Sequence, residues 1–127
     1  MTKTKEEGRN KQKILMIDDN ADLLEVYEWV LESAGYQIIT ARDGIEGIKR
    51  NEESDPDLIL LDLKMIGMDG IEALREIRKK DDKVKVIILT GFGNPDILQD
   101  AAGLNVSKYI TKSLENKELI QAIRETI

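Results

Sequence analysis

The chain has no cysteine and no histidine. Disulfide scaffolds, Cys/His zinc sites, thiol nucleophiles and Ser-His-Asp chemistry are therefore excluded. Aromatics are scarce, with one Trp, one Phe and three Tyr, and there are only two prolines. The longest aliphatic runs, such as ILMI and LILL, stop at four residues, so no segment of the sequence is expected to span a membrane. The N-terminal MTKTKEEGRNKQK lacks an apolar stretch and does not read as a secretory signal. Basic charge is in deficit, 19 Lys and Arg against 25 Asp and Glu, a net −6 that argues against direct nucleic-acid binding. A cytoplasmic location fits. What remains for chemistry is carboxylates, hydroxyls, Lys and Arg.

What is present suits one packed domain. The 127 residues fall in the commonest domain size, and 41% hydrophobic with 35% charged content describes a folded core under a charged surface. Residues 1–12 are polar without period and are expected to be a disordered lead-in to a domain over 13–127. Five short apolar runs follow: Ile14–Ile17, Gln37–Thr40, Leu58–Leu61, Val84–Leu89 and Tyr109–Thr111. Such runs suit strands buried on both faces of a parallel sheet. Between them lie helical patterns over Ala21–Ala34, Gly44–Asn51, Gly70–Lys80, Pro95–Leu104 and Asn116–Ile127. Gly35 is a stop signal, and Asp43 and Asp69 each precede a Glu by three residues as capping patterns. The order β-α, five times over, predicts a single doubly wound α/β domain with helices on both faces and no second domain after it. Trp29 and Phe92 are expected to be packing residues.

Open parallel sheets bind ligands beyond the carboxyl ends of their strands. The first strand ends in Asp18-Asp19, the third in Asp62, the fourth in Thr90 and the fifth in Lys112. Adjacent strands lie about 4.8 Å apart. If the first and third are neighbours, three carboxylates converge, and they either raise one another's pKa or require a cation. An oxygen-only cluster suits Mg²⁺ before Ca²⁺. With Lys112 and Thr90 added, the set suits a phosphoryl group, Asp62 being the nucleophile. Each residue alone has an ordinary reading. Asp18-Asp19 could cap the first helix, Asp62 could sit in a turn, Thr90 could be a polar strand end and Lys112 a solvated charge, while Tyr109 could be an edge-strand aromatic. Their joint position at four of five strand ends sets the chemical reading above these.

The motifs ILMIDDN (14–20), DLILLDLKMIGMDG (57–70), VIILTGFG (86–93) and KYITK (108–112) resemble the receiver domains of two-component response regulators across residues 13–127. The resemblance implies strand order 2-1-3-4-5 and phosphorylation of Asp62. It implies Mg²⁺ held by Asp19, Asp62 and the backbone carbonyl of Lys64, with Asp18 acting through a metal-bound water. Lys112 would contact the phosphoryl oxygens. Thr90 and Tyr109 would act as switch residues that remodel the face formed by the fourth helix, fifth strand and fifth helix. The implied partners are a histidine kinase or phosphotransfer protein and a downstream effector. The chain would catalyse only its own phosphorylation and dephosphorylation. Two alternatives are a receiver-like binding module that is never phosphorylated and a metal-dependent aspartyl-phosphate phosphohydrolase. The latter expects a second acid two residues after its nucleophile, where this chain has Lys64.

The departures from the family pattern are Ile66 and Ser113 in place of proline, Gly91 after Thr90, and Asn105 where glycine usually ends the fourth helix. Asn tolerates the left-handed conformation such an ending needs. Without proline the Lys112–Ser113 bond is expected to be trans, since cis costs about 2.5–4 kcal/mol there. Phe92, two residues past Thr90, is expected to shield the phosphorylated aspartate from water. The span 94–104 contains no Lys or Arg, so a monomer or a weak dimer is expected.

Overall fold

The computed structural model describes residues 11–63, 69–91, 99–112 and 115–127. In chain order the elements are β1 (Lys13–Ile17), α1 (Ala21–Ser33), β2 (Gln37–Ala41), α2 (Gly44–Ser54), β3 (Leu58–Leu61), α3 (Gly70–Lys80), β4 (Lys85–Thr90), β5 (Lys108–Thr111) and α4 (Asn116–Thr126). The strands form one sheet in the order β2-β1-β3-β4-β5, and every pairing is parallel. The order and the doubly wound layout agree with the sequence reading. Of the helix expected over 95–104, only its last part is described. Gln99 and Asp100 are helical, and the chain then turns through Gly103 (φ 85°) and Asn105 (φ 58°). Asn105 thus takes the left-handed conformation expected of it.

Period-two alternation sorts the sheet residues into two cores. Ile14, Met16, Leu58, Leu60, Ile87 and Leu89 pack under Leu24, Tyr27 and Leu31 of α1 and Leu119 and Ile123 of α4. Leu15, Ile17, Ile59, Leu61, Val86 and Ile88 pack on the opposite face under Ile71, Leu74 and Ile77 of α3, with Ile48 of α2 at the margin.

Local signals place the helix ends. Asp43 accepts from Glu46 N (2.8 Å) and Asp69 from Glu72 N (2.8 Å), so both capping patterns form. At the end of α1, Gly35 takes φ 101° while its N donates to Glu32 O (3.0 Å) and Tyr36 N donates to Leu31 O (3.1 Å). This is a Schellman closure, and it buries Leu31 and Tyr36 together. Several boundaries differ from the sequence reading by a residue or more, and three are informative. α2 runs on from Asn51 to Ser54 because Asn51 itself is buried, and it ends at left-handed Asp55 (φ 49°). β4 is shifted by one residue, to Lys85–Thr90. Gln12, assigned to the lead-in, instead accepts Gln37 N on its carbonyl (2.9 Å) and so extends the parallel ladder.

Trp29 is a correction. It is 71% exposed, because Leu24, Tyr27 and Leu31 form the inward stripe of α1 and position 29 falls on the outward face. Trp29→Ala is accordingly expected to change the unfolding free energy by less than about 0.5 kcal/mol, as read by urea titration. A loss of a few kcal/mol would mean that the ring is packed after all.

Candidate functional site

The register brings the acidic residues together. Ile17 pairs with Leu61, so the residues that follow them, Asp18 and Asp62, leave the sheet side by side. Asp62 N still donates to Ile17 O (2.9 Å), and Asp18 N to Ala41 O (3.1 Å), so both backbones are held by ladder bonds. Asp18 and Asp62 are 1% and 5% exposed. Asp18, Asp19 and Asp62 each offer a carboxylate oxygen, and these lie within 4.8 Å of one another.

Lys112 completes the cluster. Its Nζ donates to Asp18 Oδ2 at 2.7 Å and stands 3.4 Å from Asp62 Oδ1. Lys112 N donates to Thr90 O (2.9 Å), which ties the end of β5 to the end of β4. Burial works against the ammonium's charge, but the hydrogen bond and charge of Asp18, and then of Asp62, outweigh it. The Lys112 pKa is therefore held above the ordinary lysine value.

The helix-capping alternative for the acid pair does not hold for Asp18. The cap of α1 is Asn20, whose Oδ1 accepts from Leu23 N (3.1 Å). Asp18 Oδ1 instead accepts from Asn20 N (2.9 Å), which fixes the carboxylate and leaves Oδ2 for Lys112.

Thr90 is buried at the end of β4, in the same strand alternation as Val86 and Ile88. Tyr109 lies opposite Ile88 on edge strand β5 and is 42% exposed, with burial of part of the ring raising its phenol pKa. A groove of about 780 Å³ beside Asp19 is lined by Arg42, Ile45 and Lys49. A larger one, about 830 Å³, lies at the opposite end of the sheet among Asn51, Asp57 and Asp81, away from the acidic cluster. Lys64, Phe92 and Ser113, and with Ser113 the Lys112–Ser113 bond, lie outside the described residues.

Two residues near the site were not legible as such. Tyr27 reads as core from its periodicity. Burial raises its phenol pKa, with the Lys112 charge lowering it and Asp18 raising it. Gly70 reads only as a helix start. A Cβ there would overlap the carbonyl oxygen of Asp62 and lie 2.8 Å from Leu63 Cα. Its N donates to Leu63 O (3.1 Å), so α3 begins directly against the backbone that carries Asp62. Gly70→Ala is expected to cost about 1–3 kcal/mol of stability and to weaken Mg²⁺ binding, because backbone rather than a pliant side chain must move. Urea unfolding and a Mg²⁺ titration followed by thermal shift check this. Unchanged values in both would show that the loop yields freely.

Three oxygen donors and a single ammonium leave the cluster with excess negative charge, which fits a hard divalent cation such as Mg²⁺. Comparison with known proteins identifies the family. The family model described as "Response regulator receiver domain" matches residues 14–124. Sporulation initiation phosphotransferase F of Bacillus subtilis (strain 168) is 32% identical over 90% of this chain and 92% of its own length. Chemotaxis protein CheY of Treponema pallidum (strain Nichols) is 31% identical over 91% of this chain and 82% of its own length. The solved receiver-domain protein (CheY-like) of Methanospirillum hungatei JF-1 superposes with a TM-score of 0.88 at 28% identity, covering 91% of this chain and 93% of that one.

Proposed function

Because the chain belongs to the response regulator receiver domain family, we propose that it is a phosphorylation-controlled signalling module whose acceptor is Asp62. The observation that carries this reading is the convergence of Asp18, Asp19 and Asp62 around the Lys112 ammonium. The donor is a phosphohistidine of a histidine kinase or phosphotransfer protein. An Asp62 carboxylate oxygen attacks phosphorus, the P–N bond breaks, and the departing imidazole takes a proton from water. Asp19, Asp62 and the Lys64 carbonyl would hold Mg²⁺, with Asp18 contributing through a water, and three carboxylates already converge there for it. Bound Mg²⁺ neutralises charge that builds on the phosphoryl oxygens.

The chain's own residues do the rest. Lys112 offers its ammonium to the phosphoryl oxygens, already aimed by Asp18. Asp18, fixed by Asn20 N, keeps the lysine in place while Asp62 is modified. Thr90 supplies a hydroxyl that reads the phosphoryl group, and Tyr109 changes exposure with it, remodelling the face around β5 and α4 for an effector. The chain acts in the cytoplasm, and its chemistry is limited to its own phosphorylation and dephosphorylation. A protein partner is supported by the outward face of α1, where Val26 and Trp29 stand exposed among Asp22, Glu25 and Glu32. Among the described residues, no helix is long and apolar enough to cross a membrane.

Beryllofluoride, a phosphoryl mimic, tests the reading. Saturable binding that needs Mg²⁺ and is lost in Asp62→Asn is expected. Binding that ignores Mg²⁺, or no binding at all, favours the unphosphorylated module. Sustained turnover of free phosphomonoesters favours the phosphohydrolase.

A further inference from the structure

We propose that Arg78 is a positioning residue that pins the chain entering β5 onto the C-terminal end of α3, so that residues 104–107 stay fixed while the face beside them switches. One guanidinium holds three carbonyls. Nε donates to Leu104 O (2.8 Å), Nη2 to Asn105 O (3.0 Å) and Nη1 to Asp81 O (3.2 Å). The planar fork of arginine suits diverging acceptors, and the compact ammonium of lysine does not. Leu104 and left-handed Asn105 lie at the end of a turn, and Arg78 takes up both of their carbonyls.

The base of the clamp is itself anchored. Asp81 Oδ1 accepts from Lys83 N and Val84 N (3.0 Å each), and Asp81 Oδ2 accepts from Asn51 Nδ2 (3.3 Å). Arg78 thus joins the entry to β5 to α2, to α3 and to the start of β4. On the far side of the clamp, Ser107 N donates to Val86 O (2.8 Å), and β5 then runs to Tyr109 and Lys112. Burial lowers the Arg78 pKa while Asp81 and Asp82 raise it, which describes a cation taken partly out of water and held by its acceptors.

The inference rests on the receiver reading and gives it a mechanical detail. With its entry tied at Arg78, β5 transmits a change at the Lys112 end without its opposite end shifting. The partner-facing surface then has one fixed border and one that moves.

Hydrogen-exchange mass spectrometry on the full chain tests this, with and without Mg²⁺ and beryllofluoride, in wild type, Arg78→Gln and Arg78→Lys. In wild type, ligand addition is expected to change exchange in peptides ending before Leu104 and to leave 104–107 unchanged. In Arg78→Gln, 104–107 should exchange about tenfold faster, as for loss of one to two net hydrogen bonds, and should begin to respond to ligand. Arg78→Lys, which lacks the fork, should behave more like Gln than like wild type. A wild-type response at 104–107 equal to that of the preceding peptide overturns the proposal. So does unaltered exchange there in Arg78→Gln. No ligand response anywhere in wild type overturns the receiver reading itself, and the Arg78 clamp with it.

Discussion

Asp62→Asn is expected to abolish the phosphoryl adduct that acetyl phosphate forms on the wild-type protein in the presence of Mg²⁺. Intact-mass measurement reads this directly, and EDTA should have the same effect as the substitution. The reason is chemical as well as positional. An amide oxygen is a far poorer nucleophile than a carboxylate, and Asp62 is a buried carboxylate that shares the cluster with the other two acids and Lys112. A second readout needs no phosphodonor. Asp62 has two like charges near it and one ammonium at 3.4 Å. Removing its charge relieves repulsion from Asp18 and Asp19, so Asp62→Asn is expected to melt higher than wild type in EDTA. Mg²⁺ should then stabilise the variant less than it stabilises wild type. An adduct kept at wild-type level in the variant would move the acceptor elsewhere, and one formed equally in EDTA would remove the metal from the reaction.

Lys112→Met is expected to lower the unfolding free energy at pH 7 by about 3 kcal/mol, the lower end for breaking a buried pair, because the lysine side chain remains 23% exposed. Asp18, with 1% exposure, is left without its cation. The pH dependence has a definite sign. The Lys112 pKa is raised in the folded state, so its contribution is fully present below the ordinary 10.5 and is lost as pH rises through the higher folded value. The gap between wild type and variant should therefore be constant from neutral pH to about pH 9 and narrow above 10.5. Saturating Mg²⁺ should recover part of the loss by supplying the missing positive charge. Urea titrations across this range, with and without Mg²⁺, provide the check. A variant as stable as wild type in EDTA would show that water already balances the acidic cluster.

Much of the architecture was legible because its signals are local. The runs at 14–17 and 58–61 are apolar at every position, as strands covered on both faces must be. Asp43 and Asp69 state the starts of α2 and α3 through capping spacings that form as read. Less legible were features that depend on what lies across the sheet. Asn51 looks like the polar end of a helix, yet it is buried against Asp81, and α2 continues past it. Trp29 looks like core by composition, and only the phase of α1 turns it outward. The acid pair Asp18-Asp19 has the composition of a helix cap, but Asn20 caps α1 and Asp18 is turned toward Lys112.

By itself the sequence determined the chemical vocabulary and the strand ends at which it sits. Without Cys or His, and with acids after β1 and β3, a hydroxyl at the end of β4 and an ammonium after β5, oxygen-donor and phosphoryl chemistry was what remained. Tertiary structure decided which of those ends meet. Asp18 continues the alternation of Ile14 and Met16, Asp62 that of Leu58 and Leu60, and Lys112 that of Ile110, all directed toward the layer under α1 and α4. Thr90 follows Val86 and Ile88 in the opposite alternation, toward α3. Strand order makes β1 and β3 neighbours, and alternation then sends their terminal carboxylates to the same side, within reach of one lysine. Spacing along the chain does not contain that information, because adjacency in a parallel sheet is set by how the crossover helices pack on its two faces. The same holds for Gly70, whose missing side chain matters only because α3 returns against the backbone of Asp62.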